Sequence, residues 1–479
     1  MNKLLKSLTV AGLLAAVGTG CGQIKALTPT QLAEHNKPGT LMIQTVHEAK
    51  FSVPDYEFNQ VKLDQLYDQV DQRIISGILT SDQKVFVALV EAIYSDPLSY
   101  FTPIQERIQD KGEVTFTGSA LAITEDGFLV TNAHVISPNQ DELKQSLAGS
   151  TLQDMAVESC QAILYDSFED HSREAIGAII GTQNFLNLCV QGHVDYFVHH
   201  LKIEATNTNI YAAMGATTRD RIVEEGYKAT VRATGEVTPG KDVAILKIEA
   251  SQMPTVALGD DKPLTAGDRI FILGYPGAGV VNEKEAVEPS LTAGLVSARK
   301  TMPDGWDILQ TDAAMSGGNS GGPVFNEVGE VIGIATFAAV DPTTGGQVQG
   351  GNFVIPISVV DEFLQEAKVS PELSPISQIF QQAIGQFDQG RFKAALETFR
   401  QVNEMNPNYP YVQGYLSKTQ MELNRNKSQS PSLWSLATIG SAALLVIGGT
   451  FVLRRRGQIP WPKSRLDLGH VFKQLRGLS

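Results

Sequence analysis

A chain of 479 residues is too long for one ordinary domain, so two or three folded units are expected. With 42% hydrophobic and 19% charged residues, the chain is globular in composition and has ample material for buried cores. Its formal net charge of −14 argues against a general nucleic-acid-binding role.

Residues 1–20 have the pattern of a secretory signal peptide. A basic start, an apolar stretch over residues 8–17 and small residues at 18–20 suit export and cleavage, and the apolar stretch is too short to span a membrane comfortably. Cys21 stands where a bacterial lipoprotein carries its lipidated cysteine, although Gly18 stands where such sites usually have leucine. Lipidation, ordinary cleavage and an uncleaved anchor all stay open.

The other two cysteines are Cys160 and Cys189. An even pair in an exported protein suggests a disulfide, and two buried free thiols on helices are the alternative. No metal site is expected, because His171, His193 and Cys189 can be joined into a ligand set only by an arbitrary geometry.

The segment that follows the signal alternates between strand and helix signals. Residues 39–47 predict a first strand, and apolar residues at helical spacing predict helices within residues 61–100. We interpret about residues 55–110 as a helical insertion between the first two strands. Further strands are predicted at 115–124 and 128–131, separated by a turn.

The strand at 128–131 leads directly into Thr131-Asn132-Ala133-His134-Val135. A histidine that acts as a general base should sit on a rigid element, and the predicted strand end at residues 133–134 provides one. A second helical insertion is predicted at about 138–195, with helices at 141–166 and 173–190. Strand character is then predicted to return over 194–214.

Two further stretches complete a set of catalytic side-chain types. Asp242 precedes the apolar run Val243-Ala244-Ile245-Leu246, and Ser320 lies in Gly317-Gly318-Asn319-Ser320-Gly321-Gly322. A serine hydroxyl is a weak nucleophile that needs a base and an orienting carboxylate, which His134 and Asp242 would supply. The dense glycines suit a tight turn whose amides point at a developing oxyanion. The predicted oxyanion hole is formed by the amides of Gly318 and Ser320, with Asn319 as a further candidate.

These three blocks, in the order His134, Asp242, Ser320, resemble the trypsin-like, chymotrypsin-fold serine peptidases, and within them the HtrA/Deg group. The resemblance implies a mainly β, two-barrel chymotrypsin-like fold with helical insertions over residues 36–368. It also implies hydrolysis of polypeptides without a cofactor. Ala314, six residues before Ser320, would form the floor of the primary substrate pocket, and its uncharged side chain argues against an Arg or Lys preference there.

The chain departs from that group after the peptidase. No PDZ domain is predicted; instead residues 373–426 resemble a tetratricopeptide (TPR) repeat, with a plain helical spacer as the alternative. A single such repeat needs neighbours to bury a core, so it is expected to pack on the peptidase or on a protein partner. Before it, Ser358 and Asp361 form a predicted capping box that would open a helix.

Residues 433–453 carry no charge and precede three arginines. As a helix they would extend about 31 Å, enough to cross a bilayer. The positive-inside rule places the basic tail 454–479 in the cytoplasm and the peptidase outside, on the periplasmic face of a bacterial inner membrane.

The sequence thus predicts a membrane-tethered serine endopeptidase that acts on extracytoplasmic proteins. Damaged envelope proteins, in quality control, and one regulated target near the membrane both stay open as its substrate. The alternative is a catalytically silent peptidase scaffold that binds proteins through its helical repeat. Labelling of Ser320 by a fluorophosphonate separates the two hypotheses.

Overall fold

The structure, a computed structural model, describes residues 26–166, 182–275, 277, 286–340, 343, 346–429 and 456–457. This part of the chain folds into two closed six-stranded antiparallel barrels with helices inserted into the first and packed on both. The two-barrel fold with helical insertions is therefore confirmed.

The first barrel has the strand order β1-β2-β3-β6-β5-β4. Its strands are β1 (Thr40–Phe58), β2 (Phe101–Ala122), β3 (Phe128–Thr131), β4 (Lys202–Met214), β5 (Tyr227–Thr234) and β6 (Ala244–Ile248). The second barrel has the order β10-β11-β12-β9-β8-β7. Its strands are β7 (Arg269–Gly274), β8 (Ser290–Thr301), β9 (Asp307–Thr311), β10 (Pro323–Phe325), β11 (Val331–Val340) and β12 (Gln347–Pro356).

Strand alternation divides the apolar side chains between barrel interiors and the interface of the two barrels. Along β7, Ile270 and Ile272 belong to the interior of the second barrel, whereas Phe271 and Leu273 join a cluster shared with the first barrel. This follows from the two-residue period of a strand. The shared cluster fixes the two barrels against each other, which is required of any site built from both.

The first insertion lies at the end of a long β1–β2 hairpin that pairs from Thr40–Leu121 out to Phe58–Phe101. It carries α2 (Gln60–Ile75), α3 (Asp82–Ser95) and α4 (Pro97–Tyr100). The predicted strand bounds were too short: β1 continues past residue 47, and β2 begins at residue 101 rather than 115. The outer part of β2 is mostly exposed and polar, so it lacks the apolar alternation that reveals a strand.

The second insertion follows β3. The strand ends at Thr131 rather than at 133–134, and α5 (Ala133–Ile136) comes next. It is followed by α6 (Gln140–Ala148), α7 (Thr151–Asp166) and α8 (Thr182–His200). The prediction of strand from residue 194 was wrong for 194–200, which are helical. Tyr196 and Phe197 have strand propensity, but both are buried in the helical cluster, so tertiary packing decides their conformation.

Cys160 of α7 and Cys189 of α8 form a disulfide, with S–S 2.08 Å and Cα–Cα 6.0 Å. Both residues are fully buried in the apolar cluster that joins the helical insertion to the β1–β2 hairpin. Of the two alternatives left open by the sequence, the structure has the bonded pair.

The remaining helices are α1 (Pro29–Asn36), α9 (Ile222–Glu225), α10 (Ile357–Ala367), α11 (Pro375–Asp388), α12 (Phe392–Met405) and α13 (Val412–Gln429). The predicted capping box at the start of α10 is wrong. The helix begins after Pro356, and the amide of Ser358 instead donates to Asp261 Oδ1 at 2.8 Å. A carboxylate distant in sequence therefore satisfies this helix end.

The helices α11 to α13 lie in the region predicted to be TPR-like, and they pack on the peptidase. Ser374 donates to the Met253 carbonyl at 2.9 Å, and Thr255 donates to the Glu372 carbonyl at 2.9 Å. On the other side, Tyr415 donates to Glu34 of α1 at 2.6 Å. The helices α11 to α13 are thus attached to the barrels and to α1 of the same chain.

Within the described residues, no helix is both long and apolar enough to cross a membrane. The predicted signal peptide at 1–20, Cys21, the predicted span at 433–453 and most of the tail 454–479 lie outside those residues.

Candidate active site

His134 and Asp242 meet at one edge of the first barrel. His134 lies on α5, just after β3, and Asp242 precedes β6, which pairs with β3. His134 Nδ1 is 2.6 Å from Asp242 Oδ2, and the His134 amide donates to Oδ1 at 2.8 Å. Asp242 is 1% exposed. The carboxylate therefore holds both the ring and the backbone of the histidine, which sets Nδ1 as donor and leaves Nε2 as acceptor.

Thr336 on β11 adds a third bond to the carboxylate, because its hydroxyl donates to Asp242 Oδ2 at 2.8 Å. Asn132 donates from its side-chain amide to the Asp242 carbonyl at 2.8 Å. A buried carboxylate is costly unless its oxygens are hydrogen-bonded, and the donors from His134 and Thr336 satisfy it, while Asn132 holds the backbone of Asp242. Thr336 was not predicted from the sequence. Its only signal was a polar residue that ends the apolar run at residues 331–335.

Ser320 lies between β9 and β10 and comes from the second barrel. It lines two cavities together with His134, so the structure brings the predicted nucleophile and base to one cleft. Its hydroxyl, however, donates to the Thr336 carbonyl at 3.0 Å. Among the described residues, the Thr336 carbonyl is the acceptor of the Ser320 hydroxyl. The Ser320 side chain must therefore rotate before its hydroxyl can donate to His134.

The loop before Ser320 depends on glycine at residue 318. Gly318 has φ +95°, and a Cβ there would collide with the Tyr275 carbonyl and the Gly277 amide. The Gly277 amide donates to the Gly317 carbonyl, which keeps that peptide unit oriented. Within the described part of the chain, the amides of Gly318 and Ser320 have no hydrogen-bond acceptor, whereas the Asn319 amide donates to the Ser316 carbonyl at 3.1 Å. Two of the three predicted oxyanion amides are therefore available.

Ser119 of β2, which was also not predicted from the sequence, connects the two barrels beneath this loop. Its hydroxyl donates to the Gly318 carbonyl at 2.7 Å and accepts from the Tyr275 amide at 2.8 Å. Its own amide donates to the Ser320 carbonyl at 2.8 Å. It is fully buried. The signal in the sequence was a single serine at the start of the apolar run Ala120-Leu121-Ala122.

The two cavities beside Ser320 have volumes of about 250 and 400 Å³. Residues 315–317 and 336–338 of the second barrel line the first cavity, and Phe116, Thr117 and Val135 of the first barrel line the second. Ala314, predicted as a pocket floor, is exposed, and its carbonyl accepts from the Thr292 hydroxyl at 2.9 Å. The neighbouring Met315 lines the first cavity instead.

The fully buried His193 lies against the disulfide. Its Nδ1 is 2.9 Å from the Cys189 carbonyl, and its Nε2 is 2.7 Å from the Tyr56 hydroxyl. Burial lowers the pKa of His193, although the Cys189 carbonyl opposes that shift. The three side chains Cys160, Cys189 and His193 are close enough to hold a metal ion, but their sulfurs are bonded to each other rather than present as thiolates.

Two antiparallel six-stranded barrels, with a histidine–aspartate pair and a glycine-flanked serine where they meet, define the chymotrypsin-like class of fold. Comparison with known proteins agrees. The family described as "Trypsin-like peptidase domain" matches residues 199–334, a stretch that includes Asp242 and Ser320 and begins at the end of helix α8. This stretch of the chain is therefore similar to trypsin-like peptidase domains.

The curated relatives include proteins described as "Probable periplasmic serine endoprotease DegP-like". The one from Pseudomonas fulva (strain 12-X) is 38% identical over 139 residues, which are 28% of this chain and 27% of that protein. The one from Halomonas elongata is 34% identical over 170 residues, which are 34% of this chain and 33% of that protein. The chain thus spans about a third or less of the length of these relatives.

A solved structure, "HtrA-type protease AlgW with decapeptide", is 18% identical, covers 71% of this chain and 68% of its own, and has a TM-score of 0.35. The fold assignment rests on the strand pairings of this chain and not on that likeness.

Proposed function

We propose that this chain is a serine endopeptidase that cleaves polypeptides with Ser320 as nucleophile. Ser320 Oγ attacks the peptide carbonyl while His134 Nε2 takes its proton. His134 then donates that proton to the leaving amine, and Asp242 stabilises the imidazolium without being protonated itself. The amides of Gly318 and Ser320 bind the oxyanion of the tetrahedral intermediate. This chemistry needs no cofactor.

The observation that carries the proposal is the two-point attachment of His134 to Asp242. A carboxylate that bound only the ring would restrain the orientation of the imidazole. The second bond, from the His134 amide to Asp242 at 2.8 Å, also fixes the position of the His134 backbone. Together with the Thr336 donor, this holds a base in one tautomer beside a glycine-bounded serine.

The orientation of the Ser320 hydroxyl describes a resting arrangement. While it donates to the Thr336 carbonyl, its proton is not directed at His134. Catalysis requires the hydroxyl to turn and donate to Nε2, a change of side-chain rotamer that costs little in a half-buried residue. A substrate that displaces the hydroxyl from Thr336 would complete the triad when it binds.

Fluorophosphonate labelling tests the proposal. The full chain should react at Ser320, as located by mass spectrometry, and Ser320→Ala should not react. Asp242→Asn should keep the serine but label and hydrolyse peptides about 10⁴-fold more slowly, because the ring loses its tautomer and its charge partner. An unreactive wild-type chain, or a label on another residue, would refute the proposed mechanism.

We further propose that the peptidase acts outside the cytoplasm and is tethered by residues 433–453, with protein quality control in the envelope as its role. Support comes from the signal-like residues 1–20, the uncharged span and the relatives whose names include the word periplasmic. Protease added to spheroplasts should degrade the peptidase domain. A chain that stays protected until lysis, or that washes off membranes with carbonate, would contradict this topology.

The helices α11 to α13 are proposed as a TPR-like unit. Supporting this, Ala383, Ala395 and Phe399 are buried at helix crossings of a shared core. Its contacts with Met253 and Thr255 indicate that part of its surface is used to hold the peptidase, so any protein partner would bind elsewhere on it.

A further inference from the structure

Glu142, on the inserted helix α6, lies at the centre of the cleft. Both cavities beside Ser320 are lined by the same four residues, His134, Glu142, Gly317 and Ser320. Three of these belong to the predicted catalytic segments, and the fourth comes from an insertion. Of the described residues that line the two cavities, Glu142 is the only carboxylate, and none is a lysine or an arginine.

The position of Glu142 is fixed by a hydrogen bond to its carboxylate and by the packing of its helix. It accepts from the Asn139 amide at 3.1 Å, while the Glu142 amide donates to the Asn139 side chain at 2.8 Å, and this capping box starts α6. The helix itself is anchored by the buried Leu143 and Leu147. Leu147 packs directly over Gly112 of β2, where a Cβ would collide with it. The side chain is therefore preorganised rather than free to swing away from the cleft.

Glu142 lacks a cation of its own. Among the described residues, no lysine or arginine forms an ion pair with it. A fixed, unpaired carboxylate in an otherwise uncharged cleft attracts a positive group and repels a negative one. That group must come from the bound polypeptide.

The helix contributes most to the second cavity, which Gln145 and Ser146 also line, one turn further along the same face of α6. That cavity is bounded by the first barrel, beside His134. Because His134 belongs to the first barrel and delivers its proton to the leaving amine, the residues after the scissile bond should lie on the first-barrel side, along the second cavity.

We infer that Glu142 makes the peptidase favour substrates with a lysine or arginine just after the scissile bond. This inference rests on the proposed serine-peptidase function and names its substrate class. Glu142 lines the first cavity as well, but Met315 and Phe337 also line it, so the residue before the scissile bond can still be apolar. The carboxylate is solvent-exposed, so the discrimination is modest and weakens with salt.

The test uses internally quenched peptides that differ only in the first residue after the cleaved bond, which is Lys, Gln or Glu. The cleaved bond is located by mass spectrometry. We expect kcat/KM to be about two- to fivefold higher for Lys than for Gln and lower again for Glu, and 0.5 M NaCl should reduce the difference.

The decisive variant is Glu142→Gln, because glutamine also serves at this position of a capping box and only the charge is lost. Asp141→Asn is the matched control, since it removes a carboxylate from the same turn that does not line either cavity. Glu142→Gln should abolish the Lys-over-Glu order, and Asp141→Asn should keep it.

Fluorophosphonate labelling of each preparation separates the two proposals. If Ser320 is labelled but the wild type shows no Lys preference, or Glu142→Gln retains it, the inference about Glu142 is wrong while the proposed function stands. If turnover is too slow to compare, affinities of the same peptides for Ser320→Ala should follow the same order, and equal affinities would likewise overturn the inference.

Discussion

A substitution at Ser119 tests whether the first barrel holds the loop of residues 317–320, which carries the proposed oxyanion amides, in its catalytic conformation. In Ser119→Ala, the buried Gly318 carbonyl loses a donor and the buried Tyr275 amide loses an acceptor, from bonds of 2.7 and 2.8 Å. Each of these two buried groups left unsatisfied costs about 1–3 kcal/mol, so the free energy of unfolding should fall by about 2–6 kcal/mol. The backbone bond from the Ser119 amide to the Ser320 carbonyl should persist.

The catalytic consequence depends on the Gly318 peptide unit. With its carbonyl no longer held, the loop that presents the Gly318 and Ser320 amides becomes less ordered. Complete loss of one oxyanion donor costs about 10²–10³ in kcat, and partial loss of order should cost about tenfold. KM should change little, because the cavity walls are not altered.

Ser374→Ala is a matched control for this experiment. Ser374 is also fully buried, and its hydroxyl also donates to a carbonyl, that of Met253, and accepts from an amide, that of Ser377. It lies at the junction with α11, away from the cleft. Urea unfolding and peptide kinetics at a temperature where both variants are folded give the comparison. If Ser119→Ala and Ser374→Ala lose equal stability and Ser119→Ala keeps the wild-type kcat, then Ser119 does not position the Gly318 peptide unit for catalysis.

Two further predictions concern stability. Replacing both Cys160 and Cys189 by alanine opens a loop of sequence separation 29 and should lower the free energy of unfolding by about 3–4 kcal/mol. Urea denaturation measures this loss, and a double variant as stable as the wild type would contradict the expectation. Burial lowers the pKa of His35, His47 and His193, with desolvation as the largest cause for each. The unfolded chain therefore binds more protons than the folded one below about pH 6.5, so stability should fall on acidification from pH 6.5 and these groups should add no slope above it. Denaturation at several pH values checks this, His47→Gln should show a shallower slope, and a stability that rises towards pH 5.5 would show the reasoning to be wrong.

The parts of this molecule that were predictable from the sequence are those with local signals. The glycine cluster around Ser320 and the strands on either side of it have periodicity and composition that need no tertiary information. The same holds for the strand that leads to His134. Because the barrels bring strand ends together, three such local signals were enough to place the candidate residues in one cleft.

What could not be predicted depends on partners distant in sequence. Ser119 and Thr336 are single polar residues in apolar strands, and their importance lies in bonds to Gly318 and Asp242 that cross from one barrel to the other. The start of α10 was misjudged for the same reason, since Asp261 caps it. The helical conformation of residues 194–200 depends on burial within the insertion, where packing outweighs the strand propensity of aromatic and β-branched side chains.

The barrels and the inserted helix α6 contribute different parts of the cleft. The barrels hold His134, Asp242 and Ser320, the residues proposed to carry out the chemistry, and each lies in a short sequence motif. The helix that closes the cleft, in contrast, is positioned by Leu143, Leu147 and the absence of a side chain at Gly112, three features far from any catalytic motif. Since that packing places Glu142 on the cavities beside Ser320, a Gly112→Ala substitution should shift substrate preference in the same direction as loss of the Glu142 charge. Substrate selection would then depend on a contact between an insertion and a strand, and not on the catalytic residues themselves.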